Sequence, residues 1–149
     1  MRFPVTLDEL GDEVYRRSNR AYLVTIGEDG RAHCVASTLE WSGEDLVVPA
    51  GGTSIRNATA RSQVVLLSPP ADGLAAPATS DEEGYSLIID AEVTGAAPGP
   101  AAPDGGAIPG TVRARPVHAV LHRPAVEVHA GAGRATACAP AGARRLPAG

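Results

Sequence analysis

The residues with the clearest chemical potential lie in one short segment, residues 50–57, where two glycines precede two hydroxyl residues and an arginine. Glycines let a ligand approach the backbone closely, and the unpaired amides at a helix start carry a partial positive charge that suits a phosphate. Thr53 and Ser54 can donate hydroxyl hydrogen bonds, and Arg56 can add a charge-assisted one. An ordinary Ser/Thr helix cap after a flexible turn has the same pattern, so the segment alone leaves both interpretations open.

The other reactive residues lack a suitable spacing. His118 and His122 are four positions apart on a predicted strand, roughly 13 Å at about 3.3 Å per residue, which is too far for one zinc ion. We therefore expect no metal site. His33 and Cys34 are adjacent on a predicted strand and point to opposite faces, so they cannot form a nucleophile pair. Cys34 is expected to be a small buried hydrophobe.

The elements that must position the 50–57 segment are mainly strands. Alternating apolar residues separated by turn signals such as Asp29-Gly30 predict a mostly antiparallel β-barrel of six strands, which small aliphatic side chains can fill. A capping box at Thr6 and Glu9 predicts a short N-terminal helix ending near Asn19, and a second short helix follows the glycines, between the third and fourth strands. The predicted strands are 21–27, 32–41, 46–50, 63–68, 85–95 and 112–123.

Two strands carry further expectations. The fourth strand, 63–68, is almost purely aliphatic and is expected to be buried on both faces. Pro116 interrupts the sixth strand, which indicates an edge position or a bulge. The Pro/Gly/Ala-rich stretches 71–83 and 96–110 are expected to be loops, the second of them flexible.

Length and charge limit the classes of protein. The 149 residues suit one domain at 1–130, followed by an Ala/Gly/Pro/Arg-rich tail at 131–149 that we expect to be disordered. The net charge is −4, all 13 basic residues are arginine, and no basic stripe is visible, so we expect no nucleic-acid partner. No apolar run approaches the ~20 residues that span a membrane, and the start carries acids where a signal peptide would be apolar. We expect a cytoplasmic protein with free thiols.

The order of these elements and three segments of sequence together resemble a known family. The segments GEDGRAHCVAS, GEDLVVPAGGTSIRNATARSQVVLLSPP and HAVLHRP are similar to the pyridoxamine 5′-phosphate oxidase-like family of FMN-binding split barrels. The resemblance covers about residues 21–70 and 84–124. It implies a split β-barrel that pairs with a second copy, with FMN or a deazaflavin in the groove between the subunits.

The resemblance also implies which residues hold the cofactor. The second predicted strand would flank the flavin ring, and the turn after the third would surround the ribityl phosphate. The ring residues are Val35, Ala36, Ser37 and Thr38, and the phosphate residues are Ala50, Gly51, Thr53, Ser54, Arg56 and Asn57.

The chain departs from the family pattern at one of these positions. Family members usually place a lysine or a second arginine where this chain has Ser54, so the cradle has one fewer positive charge. Compensation would have to come from a partner subunit, or from Arg20, Arg61 or Arg123. The departure bears on how firmly a cofactor is held more than on the fold.

The function implied by the resemblance is an FMN-dependent oxidoreductase that acts on a small organic molecule as a homodimer. Hydride chemistry belongs to the flavin, so no protein acid–base pair is needed and no catalytic residue is predicted. The intact Gly-Gly-Thr-Ser and Arg-Asn turn favours this function. The serine favours the alternative of a non-catalytic flavin- or ligand-binding barrel, and a deazaflavin-dependent reductase is a further alternative. Residues 85–89 could line either a subunit interface or the core of a single chain.

Overall fold

Strand-forming residues dominate the computed structural model, which describes residues 2–70 and 84–123. These described residues contain eight strands and two helices. The strands are β1 (Arg2–Pro4), β2 (Arg20–Ile26), β3 (Ala32–Thr38), β4 (Glu40–Ser42), β5 (Asp45–Ala50), β6 (Gln63–Ser68), β7 (Ser86–Ala97) and β8 (Gly110–His122), and the helices are α1 (Leu7–Arg16) and α2 (Gly52–Ala60). The predicted class, mostly β and antiparallel with two helices, is confirmed.

All eight strands belong to one antiparallel sheet, in the order β3-β2-β6-β7-β8-β5-β4, with β1 added beside β8. The sheet curls until β3 approaches β5, where the Ser37 hydroxyl donates a hydrogen bond to the Pro49 carbonyl at 2.7 Å. No backbone ladder joins these two described strands. The barrel is therefore split between β3 and β5, and this gap positions the candidate site.

The strand count differs from six because two short strands were not predicted separately. Leu39 interrupts the predicted second strand: its side chain is buried in the core, and its amide donates to the Asn19 carbonyl at 2.7 Å instead of joining a ladder. The strand therefore divides into β3 and β4. The short β1 pairs with the end of β8, Arg2 opposite His122.

Helix α1 begins with the predicted capping box and ends earlier than predicted. The Glu9 carboxylate accepts hydrogen bonds from the amide and hydroxyl of Thr6, and these bonds lower the pKa of Glu9. The apolar face buries Leu10 and Val14. The helix stops at Arg16 because Ser18 and Asn19 adopt positive φ values of 54° and 55°, a conformation that turns the chain into β2.

The core consists of aliphatic side chains, because only 3% of the residues are aromatic. Its largest fully buried members come from α1 and five strands or strand ends: Leu10, Leu23, Leu39, Leu46, Leu66, Leu87 and Ile89. Residues Leu87 and Ile89 therefore belong to the single-chain core, while Ile88 between them points outward.

For the single chain, the prediction that β6 is buried on both faces is wrong. Val64 and Leu66 point into the core, but Val65 and Leu67 on the other face are only half-buried. The strand lies in the middle of the sheet, between β2 and β7, and no described element covers its outer face. Its aliphatic composition therefore produces an apolar outer surface.

Pro116 lies at a bulge, as one of the two alternatives predicted. Asp90 pairs with His118 and Ala91 with Pro116, so Val117 is an extra residue in β8. On the opposite side β5 ends its pairing at Ala114, and β1 begins its pairing at Val120. The proline therefore occupies an interior strand at a place where no neighbour needs its missing amide.

The connection between β7 and β8 is shorter than predicted. Strand β7 continues to Ala97 and β8 begins at Gly110, and Ala101 forms a bridge with Ala107. The predicted loop 71–83, the predicted tail 131–149 and the proposed boundary at residue 130 lie outside the described residues.

Gly110 marks a close approach of β7, β8 and α2. A Cβ atom there would lie 2.2 Å from the Ala97 carbonyl oxygen and 2.5 Å from Cδ1 of Ile55. We expect Gly110→Ala to lower the free energy of unfolding by about 1–3 kcal/mol through overpacking. Urea unfolding followed by circular dichroism measures this change.

Gly11 is the matched control, because it lies within α1 and a Cβ atom there would meet nothing within 4 Å. Gly11→Ala is expected to raise the free energy of unfolding by about 1 kcal/mol, since alanine is the better helix former. Equal stability of the two variants would contradict the close approach at Gly110.

Asp45 ties the β4–β5 turn to β7 and β8. Its carboxylate accepts hydrogen bonds from the Thr94 hydroxyl at 3.0 Å and from Nε of Arg115 at 3.1 Å, and it lies 3.6 Å from Nη2 of Arg113. Burial acts to raise the pKa of Asp45, but these hydrogen bonds and the two guanidinium charges outweigh it and lower the pKa.

This lowered pKa predicts an acid-dependent loss of stability. The unfolded chain takes up the Asp45 proton near pH 4, before the folded chain does, so the contribution is complete above that pH and is lost as the pH falls through the folded pKa. In Asp45→Asn this step is expected to be missing. Melting temperatures from pH 2 to 7 test it, and the Glu9 contribution cancels in the difference between the two proteins. Parallel curves would contradict the assignment.

Candidate functional site

A cavity of about 490 Å³ occupies the split between β3 and the end of β5, and the start of α2 forms one end of it. We call it the cleft cavity. Eight of the ten predicted site residues line it, joined by neighbours from β3, β5, α2 and the residue before β8. The lining consists of His33, Val35, Ala36, Ser37, Thr38, Pro49, Ala50, Gly51, Gly52, Thr53, Ser54 and Pro109.

A second cavity of about 390 Å³ lies beside the first, between the β2–β3 turn and the outer face of α2. We call it the hairpin cavity. Thr53 and His33 line both cavities, so the two are adjacent. The remaining predicted residues, Arg56 and Asn57, line only the second cavity, whose lining is Gly27, Glu28, Asp29, Arg31, Ala32, His33, Thr53, Arg56 and Asn57.

The start of α2 is built to leave its amides accessible. Gly51 is the N-cap residue in an extended conformation (φ −80°, ψ 170°), and no side chain caps the helix. The first turn contains no acidic residue, so nothing within the turn offsets the partial positive charge of the amides. A Cβ atom at Gly51 or Gly52 would meet nothing within 4 Å, so the space over the two glycines is open.

Ser54 has a hydroxyl without a partner. The residue is 1% exposed and lines the cleft cavity, and its Oγ forms no hydrogen bond with any described residue. A buried polar group that lacks a hydrogen bond destabilises a protein by about 1–3 kcal/mol. A ligand group that reaches this hydroxyl would supply the missing hydrogen bond.

Asn57 and Arg56 differ in their surroundings although they are adjacent. Asn57 is buried, and its amide donates to the Thr25 hydroxyl at 3.2 Å, which fastens α2 onto β2. Arg56 is exposed to the hairpin cavity and forms no ion pair or hydrogen bond with the described part of the chain. The structure thus brings a free guanidinium to the second cavity.

Among the lining residues that the sequence did not predict, two have side chains with nitrogen donors, Arg31 and His33. Both lie in or after the β2–β3 turn, which reaches α2 only through the folding of the sheet. Arg31 lies next to Asp29, which accepts a hydrogen bond from its amide at 3.0 Å and approaches its Nε at 3.8 Å. None of the arginines proposed to compensate for Ser54 lines either cavity; these were Arg20, Arg61 and Arg123.

The prediction for Cys34 is wrong, because its side chain is exposed. Strand β3 ends the sheet, and Cys34 lies opposite Val24 on the outer face, away from the core. His118 lies 3.2 Å from the Asp90 carboxylate. Among the described residues no three His, Cys, Asp or Glu side chains form a group that could hold a metal ion. In the same residues no helix has the length and apolar character to cross a membrane.

The arrangement suits the binding of a planar ring that carries an anionic side chain. The cleft side of β3 has no strand partner, so its backbone amides and carbonyls can meet the polar edge of a ring. The neighbouring helix start can receive the anion. The cleft cavity contains no arginine and no carboxylate among its described lining residues.

Comparison with known proteins agrees with this geometry at the level of the fold. No family model and no curated protein matches the chain. An F420 reductase structure matches with a TM-score of 0.53 at 19% identity, over 72% of this chain and 94% of its own. A FAD-binding protein from Mesorhizobium loti has a TM-score of 0.53 at 12% identity, over 81% and 96%. A Listeria innocua protein named for pyridoxamine 5′-phosphate oxidase has 0.50 at 15% identity, over 76% and 98%. The chain therefore has the split-barrel fold of these proteins.

Proposed function

We propose that the protein is an oxidoreductase that binds a flavin-type cofactor in the cleft cavity and acts on a small organic molecule. The buried, unpaired hydroxyl of Ser54 at the open start of α2 is the observation that carries the proposal. Support also comes from structures of the same fold that are named as an F420 reductase and a FAD-binding protein.

Different residues of the cleft would bind different parts of such a cofactor. The amides of the first turn of α2, with the Ser54 hydroxyl, would bind a phosphate on the side chain of the ring. Gly51 and Gly52 would let that phosphate reach the backbone. The cleft edge of β3, from Val35 to Thr38, would lie along the ring and orient its polar edge.

Ser37 has a structural part in this arrangement. Its hydroxyl already donates to the Pro49 carbonyl, so it joins the two walls of the cleft. The cofactor, when bound, supplies hydride transfer. The chain would position the cofactor and exclude water from it, so the site needs no acid–base pair of its own.

Titration of the purified protein with FMN, FAD and a deazaflavin, followed by absorbance and fluorescence, tests the proposal. We expect one of them to bind, and Ser54→Ala to weaken that binding by about tenfold. This is ~1.5 kcal/mol, the lower range for a hydrogen bond to a charged group. The apo variant is expected to melt no lower than the wild type, because the substitution removes a buried group that has no partner.

Thr59→Ala is the control on the same helix, since the Thr59 hydroxyl already donates to the Ile55 carbonyl at 2.8 Å and lines neither cavity. Its affinity for the cofactor should equal that of the wild type. Unchanged affinity in Ser54→Ala, or no binding of any of the three cofactors, would contradict the proposal. Binding without hydride transfer to an added acceptor would support the non-catalytic alternative.

We also propose that a second copy of the chain covers the apolar outer face of β2, β6 and β7. Tyr22, Leu67 and Ile88 are cross-strand neighbours there, and Tyr22 is 42% exposed. Tyr22 also lies opposite Ala36 of β3, so this face continues to the strand that lines the cleft cavity. A partner seated on it would stand next to the open side of the proposed cofactor site.

The expected mass in solution is about twice that of the 15.2 kDa chain, measured by size exclusion with light scattering. Tyr22→Glu is expected to give a monomer, because a charge in the interface would lose its water without gaining a partner. Tyr15→Glu is the control, as Tyr15 is 78% exposed on α1. A wild-type monomer at high micromolar concentration would rule the homodimer out.

A further inference from the structure

We infer that the ligand of this site carries two anionic groups of one charge each, one at the start of α2 and the other in the hairpin cavity. A flavin-type cofactor whose side chain carries a diphosphate, or a phosphodiester followed by a carboxylate, would then bind better than FMN, which ends in a single doubly charged phosphate. The inference rests on the proposed function and specifies the class of cofactor.

The site continues past the place of the first anion. Thr53, in the first turn of α2, lines both cavities, and the hairpin cavity adds about 390 Å³ to the 490 Å³ of the cleft. Arg56 comes three residues after Thr53, on the same face of the helix and about 5 Å further along its axis. The free guanidinium therefore lies beyond the helix start, within reach of the next group of a ligand.

The charges around the two cavities favour singly charged groups. No arginine lines the described cleft cavity, so an anion there is met by helix amides, hydroxyls and His33. A helix start is equivalent to roughly half a positive charge, which suits a singly charged group better than a terminal phosphate of −1.5 to −2. The phosphates of a diphosphate linkage or a phosphodiester carry about one charge each.

The hairpin cavity also suits a singly charged group better than a doubly charged one. Two arginines and two acids line it, but Arg31 is adjacent to the Asp29 carboxylate, at 3.8 Å. Arg56 is thus the cation of this lining that has no partner among the described residues, and the Glu28 carboxylate in the same lining opposes a doubly charged group. One free guanidinium matches one negative charge.

A flavin dinucleotide, through its diphosphate, and a deazaflavin whose side chain carries a phosphodiester and then a carboxylate share this chemistry. The experiment measures dissociation constants for riboflavin, FMN, FAD and such a deazaflavin with the full-length wild type, Arg56→Gln and Arg61→Gln. Arg61 follows α2 and lines neither cavity, so it is the matched control for loss of one arginine charge.

We expect FAD or the deazaflavin to bind at least about tenfold tighter than FMN, and the tighter of the two identifies the source of the linkage. Arg56→Gln should weaken that ligand by about tenfold or more, the effect of losing a charge-assisted hydrogen bond, and change FMN and riboflavin less than threefold. Arg61→Gln should change none of them.

Three results would overturn the inference. If FMN binds as tightly as the longer ligands, or Arg56→Gln weakens FMN as much as it weakens them, Arg56 does not hold a second anion, while the proposed function stands. If none of the four ligands binds, the proposed function fails together with the inference.

Discussion

The split between β3 and β5 is the constraint on which the candidate site depends, and Pro49 explains it. In a strand the amide and carbonyl of one residue point to the same side, and the Pro49 carbonyl points to β3, since it accepts the Ser37 hydroxyl. The amide that proline lacks would therefore have faced β3 too. A ladder between β3 and β5 loses a donor at this point, and one side-chain hydrogen bond joins the strands instead. The barrel stays open where a closed one would have no room for a ligand.

The position of α2 follows from the same place in the chain. The helix begins three residues after Pro49, so its first turn lies at the end of the split, and the Asn57 amide holds it there through Thr25. Gly110 lets β8 pass close to Ile55 on the inner side of the helix. These contacts fix the orientation of the helix start toward the cleft. The open amides and the cavity in front of them are therefore consequences of one packing arrangement.

Much of the fold could be predicted from the sequence, because the patterns that indicate strands and helix starts are local. Alternation and turn residues located the six longer strands, and Thr6 with Glu9 located the first helix start. The features that were missed depend on tertiary packing. Leu39 breaks a continuous strand pattern because the core needs its side chain, and Cys34 is exposed because β3 ends the sheet. Arg31 is separated from Arg56 by 25 positions, and only the curl of the sheet brings both to one cavity. The assignment of the ten predicted residues to a cofactor stays a prediction.

The serine at position 54 also has a physical explanation once its surroundings are known. The resemblance to the pyridoxamine 5′-phosphate oxidase-like family implies a basic residue there, but Ser54 is 1% exposed at the start of α2. A lysine confined to that space would have to lose its water, and without a bound anion its charge would have no partner. The serine hydroxyl loses far less solvation and still offers one donor to the cleft. The remaining positive charge is at Arg56, two residues further along the helix and in contact with solvent. A site built in this way contains no buried, unpaired charge when no anion is bound.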